Sequence, residues 1–106
     1  MSDPKPPRHL SSEAKRLWRS IVNDYQLEDR HKVLLTLACE ALDRLREAQA
    51  TITAEGAYIE GRYGRKSHPA IAVERDSRLA FARLARELGL DLSDAPTARM
   101  PTRWRP

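Results

Sequence analysis

Several features that mark common protein classes are missing from this chain of 106 residues. It has a single cysteine, Cys39, so an internal disulfide is impossible and a small disulfide-stabilised secreted fold is excluded. No apolar run reaches the ~18 residues of a membrane span, and the first residues lack the apolar segment of an export signal. We therefore expect a protein of the reducing cytosol with no membrane partner.

Residues that could carry out catalysis or hold a metal are also sparse. The histidines His9, His31 and His68 lie far apart in the sequence, and one thiol cannot form a thiolate cluster. Gly61 and Gly64 lack the Lys-Ser/Thr pair and helix that follow a phosphate-binding glycine loop. No nucleophile lies beside a base in a recognisable pattern. We predict no enzymatic activity, no metal and no cofactor.

Large apolar side chains are few, because Leu, Ile, Val and Phe together number 21. They make up about a fifth of the chain, which is close to the proportion below which chains remain disordered. The formal net charge of only +4 argues against a disordered polyelectrolyte, so we expect one folded domain with a thin core. A thin core often needs support from other subunits.

Hydrophobic periodicity predicts a mainly α fold with three helices and a short hairpin before the third. Ser11 is the predicted N-cap of the first helix, with Glu13 in its first turn. The apolar stripe of this helix comprises Ala14, Leu17, Trp18, Ile21, Val22 and Tyr25. The second helix runs from near Asp29 to near Glu55, ended by Gly56. At 1.5 Å per residue it is about 39 Å long, which is long for so small a domain.

The two faces of the second helix differ in character. Apolar residues recur at spacings of four and three, which suits packing between helices. They are Leu34, Leu35, Ala38, Ala41, Leu42, Leu45, Ala48 and Ile52. On the opposite face, Glu40, Asp43 and Glu47 are expected to point to water.

The periodicity changes over residues 57–68, which predicts two short strands around the turn Gly61-Arg62-Tyr63-Gly64. The third helix begins at Pro69, with His68 at the N-cap position. Its main stripe is Ala70, Val73, Ala80, Phe81, Leu84 and Leu88, and its opposite face carries Ile71, Arg75, Arg78, Leu79, Ala82 and Arg86. Apolar residues on both faces imply two partners, the domain's own core and a second subunit.

Three regions are expected along the chain. Residues 1–9 hold three of the seven prolines and form a flexible extended arm. Residues 10–92 form a single helical domain, and residues 93–106 form a flexible basic tail. The charged and aromatic residues near the end of the tail are Arg99, Arg103, Trp104 and Arg105.

Positive charge gathers at two further places that could contact DNA. The first is the hairpin tip, with Arg62, Arg65 and Lys66 around Tyr63. A basic turn with an interleaved tyrosine suits phosphate contact with some base stacking. The second is the face of the first helix opposite Trp18, with Lys15, Arg16 and Arg19. Both groups are also explained as solvated surfaces, and the hairpin trio is the first choice for DNA contact.

Five stretches between residues 8 and 92 form a distinctive series. They are LSSEAKRLW from Leu10, YQLED from Tyr25, RYGRKSHPA from Arg62, ERDSR from Glu74 and LGL from Leu88. In this order they resemble the small subunit of phage terminase, of the kind found in tailed phages that cut cohesive ends. The most specific part is the Tyr-Gly turn leading into His-Pro, followed by the Leu-Gly-Leu stop.

The resemblance implies a non-enzymatic, ring-forming protein that recognises the packaging start site on viral DNA. Its partners would be double-stranded viral DNA, other copies of itself and the large subunit, whose ATPase and nuclease it regulates, in the cytoplasm of the bacterial host. Contacts between copies are expected at Leu34, Leu45, Ile52, Ile71 and Leu79. Contact with the large subunit is expected at Arg99, Arg103, Trp104 and Arg105.

Two other functions stay open. A helical adaptor that binds only protein, with its tail and Trp104 docked on a partner, would show no DNA affinity even at low salt. A small helix-turn-helix repressor would use the short linker Gln26-Leu27-Glu28. The helix after that linker is too long, and too acidic on its outer face, to enter a major groove.

Overall fold

The computed structural model describes residues 4–90, which form three α-helices and one β-hairpin. Helix α1 spans Ser12–Asp24, α2 spans Asp29–Glu55 and α3 spans Pro69–Glu87. Strands β1, Tyr58–Gly61, and β2, Gly64–Ser67, pair antiparallel between α2 and α3. The predicted fold class is confirmed. The predicted tail residues Arg99, Arg103, Trp104 and Arg105 lie outside the described residues.

The predicted caps of α1 and α3 are present. The hydroxyl of Ser11 accepts a hydrogen bond from the backbone N–H of Ala14 at 3.1 Å. Nδ1 of His68 accepts from the N–H of Ala70 at 3.0 Å, immediately before Pro69 enters the helix. His68 therefore has a structural role at the start of α3, as its place before a proline predicts.

The core lies where the arm and α1 pack on the first half of α2. Leu10, Ala14, Trp18 and Ile21 meet Leu35 and Cys39 in one buried cluster. The remaining α1 stripe residues Leu17, Val22 and Tyr25 pack around that cluster, together with Leu27, Leu88 and Leu90. Burial, with the nearby charges of Asp43 and Glu40, raises the pKa of the Cys39 thiol to about 12. The thiol therefore stays protonated at neutral pH and behaves as a small apolar group.

Two of the three acids predicted to face water on α2 instead contact the end of the arm and the start of α1. Oδ2 of Asp43 accepts from the backbone N–H of Ser11 at 2.9 Å, and its Oδ1 accepts from the Ser11 hydroxyl. Oε2 of Glu40 lies 2.6 Å from Nε2 of His9. The prediction was wrong for Glu40 and Asp43, because the apolar pattern of α2 does not reveal that α1 packs along its polar side. Glu47 is exposed, as predicted.

An ion pair extends this contact by one turn of α2. The guanidinium of Arg46 donates from Nε to Oε1 of Glu13 at 3.0 Å and from Nη2 to Oε2 at 3.0 Å. Such a two-pronged arrangement fixes direction as well as distance. The polar side of α2 therefore fixes the position of α1 along the long helix.

Helix α3 runs antiparallel to α2, since grooves between the two helices bring Thr51 near Ala70 and Leu37 near Leu84. The buried residues of α3 are Ala70, Ser77 and Ala85. Small side chains allow the two helix axes to approach closely. This close approach leaves two members of the predicted stripe largely outside the contact, because Val73 is 46% exposed and Ala80 is also exposed. The predicted stripe was wrong at those two positions.

We expect Asp43→Ala to destabilise the fold. It removes two hydrogen bonds and leaves the Ser11 N–H without its acceptor, which costs about 1–3 kcal/mol. A drop of several °C in the thermal unfolding midpoint, followed by circular dichroism, is the expected result.

Glu47→Ala is the matched control, since Glu47 lies one turn further along α2 and is exposed. It should change the midpoint by no more than about 1 °C, because exposed positions contribute little. Equal midpoints for the two variants would show that Asp43 does not hold α1.

Candidate nucleic-acid interface

Many cations of the helices are neutralised by neighbouring acids. Arg46 pairs with Glu13, and further exposed pairs join Arg30 to Glu28, Arg75 to Asp76 and Arg78 to Glu74. Among residues 4–90, two clusters of cations have no such pair: Arg62, Arg65 and Lys66 on the hairpin, and Lys5, Arg8, Lys15, Arg16 and Arg19 near the N-terminus. The small net charge therefore conceals two distinct positive surfaces.

The hairpin is built by its strand register and its glycines. Gly61 pairs with Gly64, Glu60 with Arg65 and Ile59 with Lys66. Gly64 has a φ of +118°, a conformation that favours glycine. A Cβ on Gly61 would lie 3.0 Å from the carbonyl oxygen of Gly64, so a side chain there would crowd the turn. These constraints bring Arg62 and Tyr63 to the tip.

The three predicted hairpin cations do not share one face. Arg65 and Lys66 are neighbours in β2, so their side chains leave opposite faces of the ribbon. The guanidinium of Arg65 lies 4.9 Å from the ring centroid of Tyr58, and that of Arg62 lies 5.7 Å from the Tyr63 ring. Each arginine is thus placed over an aromatic ring while it keeps its full charge. Tyr63 is 94% exposed.

The second positive surface is a cleft between the arm and α1. It has a volume of about 840 Å³ and is lined by Pro4, Lys5, Pro6, Arg8, Lys15, Arg19, Val22 and Asn23. Lys15 and Arg19 are the predicted members of this cluster, whereas Arg16 is exposed on α1 and does not line the cleft. Sequence reasoning missed Lys5 and Arg8, although their position among prolines in an acid-free stretch was a usable signal.

The residues expected between copies have different environments. Leu79 is 60% exposed, whereas Leu34, Ile52 and Ile71 are half-buried. Leu45 is only 6% exposed, because the protomer itself covers its side chain. Further exposed apolar side chains that sequence reasoning did not select are Val33, Leu37 and Val73. Exposed apolar side chains therefore lie on both α2 and α3, whereas Leu45 belongs to the protomer's own core.

Neither a metal centre nor a membrane span is present in the described part of the chain. Within residues 4–90, no group of His, Cys, Asp and Glu is arranged to hold a metal ion. None of the three helices described is long and apolar enough to cross a membrane. Nε2 of His68 lies 2.9 Å from Oε1 of Glu55, which ties the start of α3 to the end of α2.

Comparison with known proteins gives one family. A family model described as "Phage terminase, small subunit" matches residues 13–103, which is most of the chain. The match includes the hairpin and nearly all of the three helices, and it begins after the arm. No curated protein and no solved structure gives a significant match.

We expect Gly64→Ala to loosen the hairpin. A Cβ at this position meets no atom within 4 Å, so the cost is that of holding alanine at a φ of +118°. This is about 1–2 kcal/mol, which is large for an isolated two-stranded ribbon. Amide hydrogen exchange should speed up across residues 58–67, while the exchange of α2 stays unchanged.

Gly89→Ala provides the control, since Gly89 also has a positive φ (+70°) and no atom within 4 Å of an added Cβ. Its effect should be confined to the end of α3. If the hairpin amides exchange equally in both variants, the glycine does not set the shape of the tip.

Proposed function

The chain belongs to the phage terminase small-subunit family, and from this premise we propose that it recognises the packaging start site on viral DNA. The family has a role in phage DNA packaging and is generally non-catalytic. In this proposal, a ring of identical copies binds the DNA and delivers it to the large subunit, regulating that subunit's ATPase and nuclease. The protein acts in the bacterial host cell during packaging.

The hairpin is the observation that carries the proposed DNA contact. The major groove of B-DNA is about 12 Å wide, admits a two-stranded ribbon and is bounded by a phosphate backbone on each side. A ribbon with Arg65 on one face and Lys66 on the other offers one cation to each backbone. The tip residues Arg62 and Tyr63 then face the base edges. This arrangement explains the division of charge between the two faces better than a ribbon that lies flat on the DNA.

The proposed ring would also raise the affinity for DNA. Three hairpin cations per copy give only weak non-specific binding at physiological salt. Repetition of the hairpin around an oligomer raises the overall affinity without any new kind of contact. The exposed apolar residues Leu79 and Val73 on α3, with Val33 and Leu37 on α2, provide a surface for a second copy.

The remaining assignments follow from the same proposal. Leu34, Ile52 and Ile71 are half-buried and complete the proposed contact between copies. Residues 10–92 form the single domain of the proposal, with residues 1–9 as an arm. The tail, through Arg99, Arg103, Trp104 and Arg105, is proposed to contact the large subunit.

We expect loss of the hairpin charges to weaken DNA binding. The variant Arg62→Gln/Arg65→Gln/Lys66→Gln should bind duplex DNA at least about tenfold more weakly near 0.1 M salt. The slope of log affinity against log salt should fall by about 0.9 for each phosphate that the variant no longer neutralises. Fluorescence anisotropy across a salt series measures both quantities.

The matched control is Arg30→Gln/Arg75→Gln/Arg78→Gln, which removes the same formal charge from residues that already pair with carboxylates. Its affinity should stay within about twofold of the parent chain. An unchanged affinity and slope in the hairpin variant would contradict the hairpin assignment. A parent chain that binds no DNA at low salt but forms a defined complex with another protein would favour the adaptor function.

We expect Leu79→Asp to shift the protein toward smaller species. A carboxylate at this exposed apolar position must be desolvated when two copies meet, which is costly without a partner charge. Native mass spectrometry and sedimentation velocity at micromolar concentration measure the shift. Ser20→Asp, on an exposed position of α1, is the control and should leave the distribution unchanged. A strictly monomeric parent chain would contradict the ring.

A further inference from the structure

We propose that the cleft between residues 4–8 and α1 binds the sugar-phosphate backbone of a DNA strand, as a second contact distinct from the hairpin. The inference rests on the proposed function, since it assigns a further DNA-contacting surface to the same protein. Lys5 and Arg8 form one wall of the cleft, and Lys15 and Arg19 form the other. None of the residues lining it is acidic. A cleft with cations on both walls is suited to an extended anion.

The position of the arm is fixed by contacts at its base. Leu10 is buried in the core, and the N–H of Ser11 donates to Asp43 at 2.9 Å. The ring of His9 contacts Glu40, so the two α2 acids that the sequence pattern placed in water hold the end of the arm. These contacts direct the preceding residues back along α1. The cleft therefore exists before any ligand binds, which lowers the ordering cost of binding.

The two walls match in length. The prolines at positions 4, 6 and 7 favour an extended chain of about 3.1 Å per residue, so residues 4–8 span about 12 Å. The α1 residues 15–23 span about the same length at 1.5 Å per residue. Nucleotides of one DNA strand advance about 3.4 Å each along the duplex axis. Because the strand also winds around that axis, successive phosphates lie further apart than this rise, so the cleft faces about two to three phosphates and offers four cations to them.

The uncharged lining residues suit the same ligand. The rings of Pro4 and Pro6 and the side chain of Val22 give apolar surface for deoxyribose, and the amide of Asn23 supplies a hydrogen-bond donor. An acidic protein segment would satisfy the same charges. The backbone of DNA fits better, because its charges repeat along the whole length over which the four cations are spread.

The start of α1, which carries one wall of the cleft, and the hairpin join α2 at different points. The start of α1 contacts α2 near Cys39 and Asp43, whereas the hairpin follows Glu55. At 1.5 Å per residue, this corresponds to a separation of about 18–24 Å along the helix. One copy can thus hold DNA at two separated places, which adds phosphate contacts without requiring more cations in the hairpin.

The test compares the full chain with Lys5→Gln/Arg8→Gln, using a duplex of about 30 base pairs. Both residues are exposed, so the variant should keep the unfolding midpoint of the parent chain. We expect binding about fivefold to tenfold weaker near 0.1 M salt and a salt slope smaller by about 1–2. The control Arg30→Gln/Arg75→Gln removes the same charge from paired residues and should bind as the parent chain does.

A second measurement locates the DNA directly. Asn23→Cys places a reactive thiol in the cleft, whereas the native Cys39 is buried and its raised pKa keeps it unreactive. A photoactivatable group on residue 23 should crosslink to duplex DNA. The same group on Ala82→Cys, an exposed position on α3 outside both the cleft and the hairpin, is the reference and should crosslink several-fold less.

Each outcome separates this inference from the function it rests on. The cleft proposal would be wrong if Lys5→Gln/Arg8→Gln bound DNA as tightly as the control and residue 23 gave no crosslink. This holds even if the hairpin variant still bound DNA more weakly. The proposed function would stand in that case. Failure of the parent chain to bind DNA at low salt would overturn both. Unchanged DNA binding, together with loss of a protein complex in Lys5→Gln/Arg8→Gln, would assign the cleft to an acidic protein segment instead.

Discussion

The contact between Asp43 and the start of α1 fixes the geometry on which the other features depend. One carboxylate accepts from both the N–H and the hydroxyl of Ser11, while the same hydroxyl caps α1. Together with the contacts Glu40–His9 and Arg46–Glu13, Asp43 holds the start of α1 and the end of the arm on α2. The core cluster of Trp18, Leu35 and Cys39 fills the space that this placement encloses.

Charge in this molecule has two separate uses. On α2 and α3, four of the seven arginines pair with acids: Arg30, Arg46, Arg75 and Arg78. Exposed pairs of this kind contribute little to stability. On the hairpin and along the arm, the cations form no ion pair within residues 4–90, although Glu60 lies opposite Arg65 in the strand register. A ligand with many phosphates can bind the unpaired cations without breaking the ion pairs of the helices. The modest net charge is thus consistent with a nucleic-acid partner.

Sequence reasoning recovered the elements and missed the contacts between them. Ser11, Gly56, His68 and Pro69 act locally, so their chain positions alone predicted where the helices begin and end. The roles of Glu40 and Asp43 depend on which side of α2 is met by α1, and the local pattern carries no such information. The pattern of α3 is equally uninformative about its contact with α2. The small Ser77 is buried where the two helices approach closely, whereas the apolar Val73 is exposed. The hairpin cations were found from composition, but the separation of Arg65 from Lys66 required the strand register.

The hairpin has a mechanical consequence that follows from its place in the chain. It is the covalent link between α2 and α3, and its base is closed by a hydrogen bond from the N–H of His68 to the carbonyl oxygen of Ala57 at 2.8 Å. The contact between His68 and Glu55 crosses the same base. A pull on the tip is therefore divided between the ends of two antiparallel helices rather than borne by a loose loop. A force applied at the tip therefore acts along the interface between α2 and α3, where the buried residues of α3 are small. It does not act directly on the start of α1.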